Sequence, residues 1–154
     1  MGNSIRILRG SRPSRDTYFA DLTKVVAQRA TCARRAVGCV LINVEGHILA
    51  TGYNGVCRGV AHCIDKPCPG ANQPSGQGLH LCEAIHAEQN ALLQCRNINE
   101  IHTAFVTASP CISCMRLLAN TGVKRIVFLE AYPHEESRLL AQSLNISWEL
   151  YGTD

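Results

Sequence analysis

The chain has 154 residues, enough for one domain that buries a core without covalent staples. Hydrophobic residues make up 46%, charged residues 18% and aromatics only 5%, which argues against a protein that stacks bases or binds a nucleic acid polymer. With a net charge of +3, no apolar run near the ~18 residues that cross a membrane and no hydrophobic leader, the expectation is a cytoplasmic protein with no membrane partner.

Residues 1–15 carry Arg6, Arg9, Arg12 and Arg15 among Gly, Ser and Pro, and read as a flexible basic arm. A phosphate or partner contact is the alternative reading of this arm. From Asp16 to about Ala30, Tyr18, Phe19, Leu22, Val25, Val26 and Ala30 recur at helical spacing, with Asp16 or Thr17 as the cap. Val37 to Val44 is a β-rich run, Glu45-Gly46 a tight turn, and His47 to Tyr53 the partner strand of a hairpin. Asn54 to about His80 collects Gly55, Gly59, Pro67, Pro69, Gly70, Pro74, Gly76 and Gly78 and reads as a long loop. Loops of that length in small domains usually carry a function or a staple.

Beyond it, Ala84 to Cys95 reads as a helix, Thr103 to Ala108 as a strand and Cys111 to Asn120 as a helix ended by Gly122. Arg125 to Glu130 is a strand, Glu135 to Leu144 a helix and Ser147 to Tyr151 a final strand. A hairpin followed by strand and helix alternation predicts an α/β fold in three layers, α/β/α, around a five-stranded mixed sheet.

Nine cysteines, an odd number and without an export signal, point to metal rather than to a disulfide framework. His86-Ala87-Glu88 opens one predicted helix and Pro110-Cys111-Ile112-Ser113-Cys114 opens the next. Cysteines three apart at a helix start lie on one face, where the positive end of the helix dipole favours thiolate. Adding the His86 imidazole gives zinc three protein ligands, His86, Cys111 and Cys114, and leaves a fourth position for water. Two thiolates cancel the formal charge of the dication and acidify that water less than three imidazoles would, so a nearby base gains importance. Glu88, two residues beyond His86, can reach the water without occupying the metal, and is the candidate proton carrier. A redox CxxC and a purely structural zinc are the competing readings. The first lacks the Trp-Cys-Gly setting, and the second would want a fourth side-chain ligand and has no use for Glu88.

His-Ala-Glu followed by Pro-Cys-x-x-Cys is an established signature of zinc deaminases, with the Glu outside the metal shell. Over about residues 16 to 151 the sequence resembles the deoxycytidylate (dCMP) deaminases of the zinc-dependent cytidine/deoxycytidylate deaminase superfamily. The resemblance is carried by Val37-Gly38, Gly52-Tyr53-Asn54-Gly55, His86 to Ala91, Ser109 to Cys114 and Gly122-Val123-Lys124. It implies the cytidine-deaminase-like fold, a single zinc-dependent deaminase domain over residues 16–154, and hydrolysis of dCMP to dUMP and ammonia, which supplies dUMP for thymidylate synthesis. Glu88 would protonate N3 and then pass a proton to the departing amine. The resemblance also implies that Asn54 helps hold substrate, that the backbone around Ala87 and Ser109 lines the base pocket, and that Tyr132 closes over the nucleotide. Arg34 or Arg35, just before the first strand, are candidate phosphate partners.

Cys32, His62, Cys63, Cys68, His80 and Cys82 flank the long loop, which gains from a closing clip. Some relatives carry a second, structural zinc with ligands matching Cys32 and Cys63. Here Cys68 and Cys82 are candidates for the rest, with His62 or His80 as alternates and buried free thiols as the competing reading. Cys39, Cys57 and Cys95 read as core or loop thiols. The family further implies a homo-oligomer, with a hexamer favoured, regulated by dCTP as activator and dTTP as inhibitor with Mg2+. Gly55, Arg58 and Gly59 are candidates for that pocket, against the reading as a plain turn. A phage origin would place the protein in the host cytoplasm. A deaminase for another base and a catalytically idle zinc-stabilised binding module are the alternatives; intact Glu88 argues against the second.

Overall fold

In a computed structural model that describes residues 10–152, the first helix, α1 (Arg15–Ala27), starts where the Ser14 hydroxyl accepts the Thr17 N–H at 3.1 Å. The cap is therefore Ser14 rather than Asp16 or Thr17. Asp16 is engaged elsewhere, and Arg15, which the sequence places in the arm, is the helix's first residue. Arm residues 1–9, including Arg6 and Arg9, lie outside the described residues, as do 153 and 154. The helix ends at Ala27 instead of running to Ala30, because its last N–H groups tighten to i−3 carbonyls and the Thr31 N–H crosses to the Asn54 carbonyl.

The hairpin follows as β1 (Gly38–Ile42) and β2 (Ile48–Tyr53), joined by a turn in which Gly46 takes φ +84°. After the long loop come α2 (Ala87–Gln94), β3 (Thr103–Ala108), α3 (Ile112–Ala119), β4 (Arg125–Glu130), α4 (Glu135–Ser143) and β5 (Ser147–Leu150). Strand order among the described residues is β2-β1-β3-β4-β5. β1 is antiparallel to both β2 and β3, while β3, β4 and β5 run parallel, so the sheet is mixed as expected. The parallel half is built from two crossovers, through α3 and through α4.

Period-two alternation divides β1 between two cores. Cys39 and Leu41 face a large cluster with Ala87, Ala91, Val106, Met115, Leu118 and Phe128, covered by α2, α3 and α4. Val40 and Ile42 face a smaller one with Phe19, Phe105 and Val127, covered by α1 with Tyr151 at its margin. Three layers result, in agreement with the sequence expectation. Leu92 and Cys95 pack on the rim of the larger cluster, and Cys39 is fully buried in it.

Two strand glycines set how closely the helices lie on the sheet. A Cβ on Gly38 would sit 2.4 Å from the Thr23 carbonyl oxygen of α1, and one on Gly52 would sit 2.3 Å from the Ala91 nitrogen of α2. Gly52 pairs with Cys39 and Gly38 with Tyr53, so the two glycines serve opposite faces. Gly122 has a related role: it does not end α3 in a left-handed conformation but passes close to the Asn99 carbonyl, where a Cβ would be 2.2 Å away.

Arg125 ties three elements together. It donates to both Asp16 carboxylate oxygens of α1 (2.9 and 2.5 Å) and from Nε to Glu149 of β5 (2.7 Å). These hydrogen bonds hold the Asp16 and Glu149 carboxyls below their ordinary values. No helix among the described residues is long and apolar enough to cross a membrane.

Candidate active site

The C-terminal ends of parallel strands β3 and β4 lie side by side, with the Ser109 N–H bonded to the Glu130 carbonyl at 2.9 Å. Open α/β sheets place ligands at this edge. From here the chain turns through Pro110 into α3 with Cys111 as its N-cap and Cys114 on its first turn. Helix α2 approaches with His86 as its N-cap and Glu88 on its first turn. It starts at Ala87 rather than Ala84, because Ile85 is extended and forms a bridge with Gly55. That later start makes His86 a capping residue. Its N–H donates to the Gln89 side-chain oxygen at 2.9 Å, and its ring faces α3.

His86 Nδ1 lies 3.2 Å from Cys114 Sγ and 3.6 Å from Cys111 Sγ. Among the described residues, these three are the group of His, Cys, Asp or Glu whose ligand atoms all fall within 4.8 Å of one another. One imidazole nitrogen and two sulfurs, at two helix N-termini, form a donor set that fits zinc. The local electrostatics agree with that fit. A hydrogen bond from Cys114, with a second from His86, draws the Cys111 thiol down to about 3, and His86 is raised in turn by Cys111. Cys114 is pushed up by its bond to Cys111, by burial and by Glu88, so the two sulfurs share one proton and one negative charge beside the imidazole.

Glu88 is 4% exposed and in contact with Cys114, and burial raises its carboxyl above the usual range. A buried carboxyl held toward its protonated form beside a metal site suits proton transfer. Cys39 lies beneath it in β1, its thiol pushed up by burial and by the Glu88 charge, and behaves as the core thiol expected.

The other sequence candidates fall into three groups. Near the centre, the Ser109 hydroxyl accepts the Tyr132 N–H at 2.8 Å, which fixes the turn after β4, and Ala87 is buried at the start of α2. The Arg35 guanidinium covers the Tyr132 ring at 4.1 Å and is close enough to His86 to oppose its protonation. Asn54 is buried, but its side chain is engaged by backbone: Oδ1 accepts the Val37 N–H (2.8 Å) and Nδ2 donates to the Arg35 carbonyl (2.9 Å). Arg34 points away, into the long loop, and bonds carbonyls there.

Around the loop, Cys63 and Cys68 sulfurs are 3.6 Å apart, and Cys82 is in hydrogen-bonding contact with Cys32. The four approach in pairs without forming a second fully converged group. His62 instead faces Asp65 (3.9 Å), and His80 is exposed on the short turn Leu79–Leu81. Gly55 and Arg58 do meet, in a cleft of about 240 Å³ with Arg29, Thr31, Tyr53, His62, Asn90 and Gln94. Gly59 takes φ +91° in a turn with open space around its α-carbon, and Cys57 is exposed.

Sequence reasoning missed three contacts: the Gly52 approach to α2, the Arg35–Tyr132 pair and the Arg34 bonds. Only the first left a signal, a glycine inside a strand pattern.

Residues 13–130 match the family described as the cytidine and deoxycytidylate deaminase zinc-binding region. The chain is 36% identical over 127 residues to a deoxycytidylate deaminase of Saccharomyces cerevisiae, a match covering 81% of this chain and 40% of that protein. It is 39% identical over 125 residues to a deoxycytidylate deaminase of Mycobacterium phage D29, covering 77% and 96%. A crystal structure of dCMP deaminase from cyanophage S-TIM5 in apo form superposes with a TM-score of 0.70 at 26% identity, covering 91% and 99%. The chain thus spans less than half the length of its yeast relative and nearly all of the phage one.

Proposed function

The chain belongs to the cytidine and deoxycytidylate deaminase zinc-binding family, and on that premise we propose that it hydrolyses dCMP to dUMP and ammonia. The observation that carries this reading is the convergence of His86, Cys111 and Cys114 with buried Glu88 beside them. His86, Cys111 and Cys114 hold the metal. Bound there, zinc supplies the Lewis acidity that makes water nucleophilic near neutral pH.

The remaining steps belong to the protein. Glu88 takes one proton from the attacking water and delivers it to N3 of the base, as the water oxygen bonds to C4. It then carries the second proton from that oxygen to the exocyclic nitrogen; the C4–N bond breaks, ammonia leaves and the C4 carbonyl forms. Burial of Glu88 serves both transfers, because raising its carboxyl above the ordinary range favours the proton uptake with which each begins. Ala87 and Ser109 backbone lines the base pocket, and Tyr132, fixed through Ser109, closes over the nucleotide. Arg35 faces the 5′-phosphate, a role supported by its exposed guanidinium beside Tyr132. Asn54 supports substrate by anchoring the Arg35 and Val37 backbone.

Glu88→Gln tests the reading. Release of ammonia from dCMP should fall by about 10²- to 10⁴-fold while zinc stays bound. Near-normal turnover in that variant would refute the proton-carrier role, and wild-type turnover of another base in preference to cytosine nucleotides would refute the substrate.

The finer readings follow the family. A second, structural zinc clips the loop through Cys32, Cys63, Cys68 and Cys82, supported by the pairwise approach of these sulfurs. The cleft holding Gly55 and Arg58 takes a deoxynucleoside triphosphate, dCTP as activator or dTTP as inhibitor with Mg2+. Arg29 and Arg58 offer charge to its phosphates, and Arg58→Ala should abolish any dCTP or dTTP effect on rate. An apolar groove of about 520 Å³ between α2 and α3, lined by Leu92, Leu93, Ile98 and Leu117, supports assembly of several copies, with a hexamer as the favoured form; light scattering would count them. The cytoplasm is the proposed location.

A further inference from the structure

Residues 68–82 fold back on themselves around one guanidinium. Arg34 donates from Nη1 to the carbonyls of Gly70 (3.0 Å) and Gln77 (3.2 Å), and from Nη2 to that of Pro74 (3.0 Å). The remaining backbone bonds within the loop are short-range: Ala71 to Cys68, Gln73 to Gly70, Gln77 to Pro74, Leu81 to Gly78 and Cys82 to Leu79. Its two ends meet where Gly70 lies against the Leu81–Cys82 backbone; a Cβ on Gly70 would be 2.8 Å from the Cys82 nitrogen. Neither hydrophobic cluster takes a member from this segment among the described residues. Between its cysteine-bearing ends, the half-exposed Arg34 thus supplies part of the organising role that apolar packing performs elsewhere in the molecule.

The arrangement uses what distinguishes arginine. A planar fork donates in several fixed directions at once, whereas an ammonium is one compact point of charge. Carbonyls from positions 70, 74 and 77 turn their negative ends to the fork, and each bond to a charged donor is stronger than a neutral one.

The next residue, Arg35, sends its guanidinium the other way, 4.1 Å from the Tyr132 ring centre, while its carbonyl accepts from Asn54. Adjacent arginines therefore serve opposite sides of one short backbone segment. With the first held by loop carbonyls and the Arg35 carbonyl held by Asn54, the backbone between the two side chains is tied on both sides.

From this geometry we infer that Arg34 is a positioning residue, which closes the 68–82 loop and thereby holds Arg35 over Tyr132 at the phosphate end of the substrate cleft. The inference rests on the phosphate role given above to Arg35.

The test uses the full chain loaded with zinc, as Arg34→Ala and Arg34→Lys. Amide hydrogen exchange read by mass spectrometry should quicken about tenfold or more across 68–82 in both variants, with β1, β3 and β4 unaffected. The Michaelis constant for dCMP should rise about tenfold with kcat within about twofold, and turnover of deoxycytidine, which lacks the phosphate, should not change. Unchanged exchange in the loop would overturn the inference. So would an open loop with an unaltered Michaelis constant for dCMP, or full rescue of both by lysine. If the wild-type chain turns over no cytosine nucleotide, the proposed function and the phosphate role of Arg35 fall together; the exchange comparison does not depend on turnover and separates that failure from a failure of Arg34 to close the loop.

Discussion

Replacing Gly52 by alanine places a methyl group 2.3 Å from the Ala91 nitrogen and 2.4 Å from the Ala87 carbonyl oxygen, where ordinary contact begins at 3.4 Å. Helix α2 or strand β2 must therefore give by about 1 Å, and backbone cannot swing aside as a flexible side chain can. The two are also bonded through Asn90 Nδ2 and the Tyr53 carbonyl at 2.8 Å, so neither moves alone. Overpacking of this kind costs about 1–3 kcal/mol, which for a domain of this size lowers the melting temperature by about 2–4 °C per kcal/mol. The effect on turnover should be larger than the effect on stability, because the first turn of α2 carries His86 and Glu88, and a 1 Å misplacement of reacting groups costs about 10²-fold.

Gly38→Ala supplies the control. Its methyl would meet Thr23 and Ala27 of α1 at 2.4 and 2.6 Å, a comparable clash on the face of the sheet that holds no site residue. Urea denaturation, kcat/KM for dCMP and zinc content should be measured on both. The expected result is similar destabilisation, with catalysis falling about 10²-fold in Gly52→Ala and less than about tenfold in Gly38→Ala. Equal losses of catalysis, or a destabilised Gly52→Ala with wild-type kcat/KM, would refute the claim that this contact sets the position of the site.

Arg125 predicts an acid dependence. Asp16 and Glu149 have depressed values in the folded chain, so the stability they contribute is complete above their ordinary values of 3.8 and 4.5 and is lost as pH falls through the folded ones. Wild type should thus lose stability more steeply below about pH 4.5 than Arg125→Met does. The difference at neutral pH should be only about 1 kcal/mol, since both carboxylates are partly exposed to screening solvent; parallel curves from pH 6 to 3 would exclude the network. For the metals, elemental analysis of wild type should give two zinc equivalents per chain and Cys114→Ser about one, with activity gone. A wild-type value of one would end the idea of a loop zinc.

The parts legible in the sequence are those fixed by local pattern. The bounds of β3 and β4 follow from apolar runs framed by polar residues, and Cys111 and Cys114 converge because spacing on one helical turn suffices. The start of α2 was misread because Glu83 and Ala84 suit a helix, and only the distant Gly55 holds Ile85 extended. The destination of Arg34 depends on where three loop carbonyls fall, some 36 to 43 residues away, and no periodicity reports that. Asn54 stands in a motif associated with substrate, while its amide contacts are backbone ones that a motif cannot specify. The loop cysteines were identifiable as a set, whereas the grouping of Cys63 with Cys68 and Cys32 with Cys82 required coordinates.

His86 and the two cysteines stand on either side of β3 in the chain, 25 and 28 residues apart, and β3 occupies the middle of the sheet between β1 and β4. A growing polypeptide therefore cannot gather its three donors until that central strand is inserted. The donor set is then a property of the assembled sheet, and neither α2 nor α3 by itself can supply all three atoms.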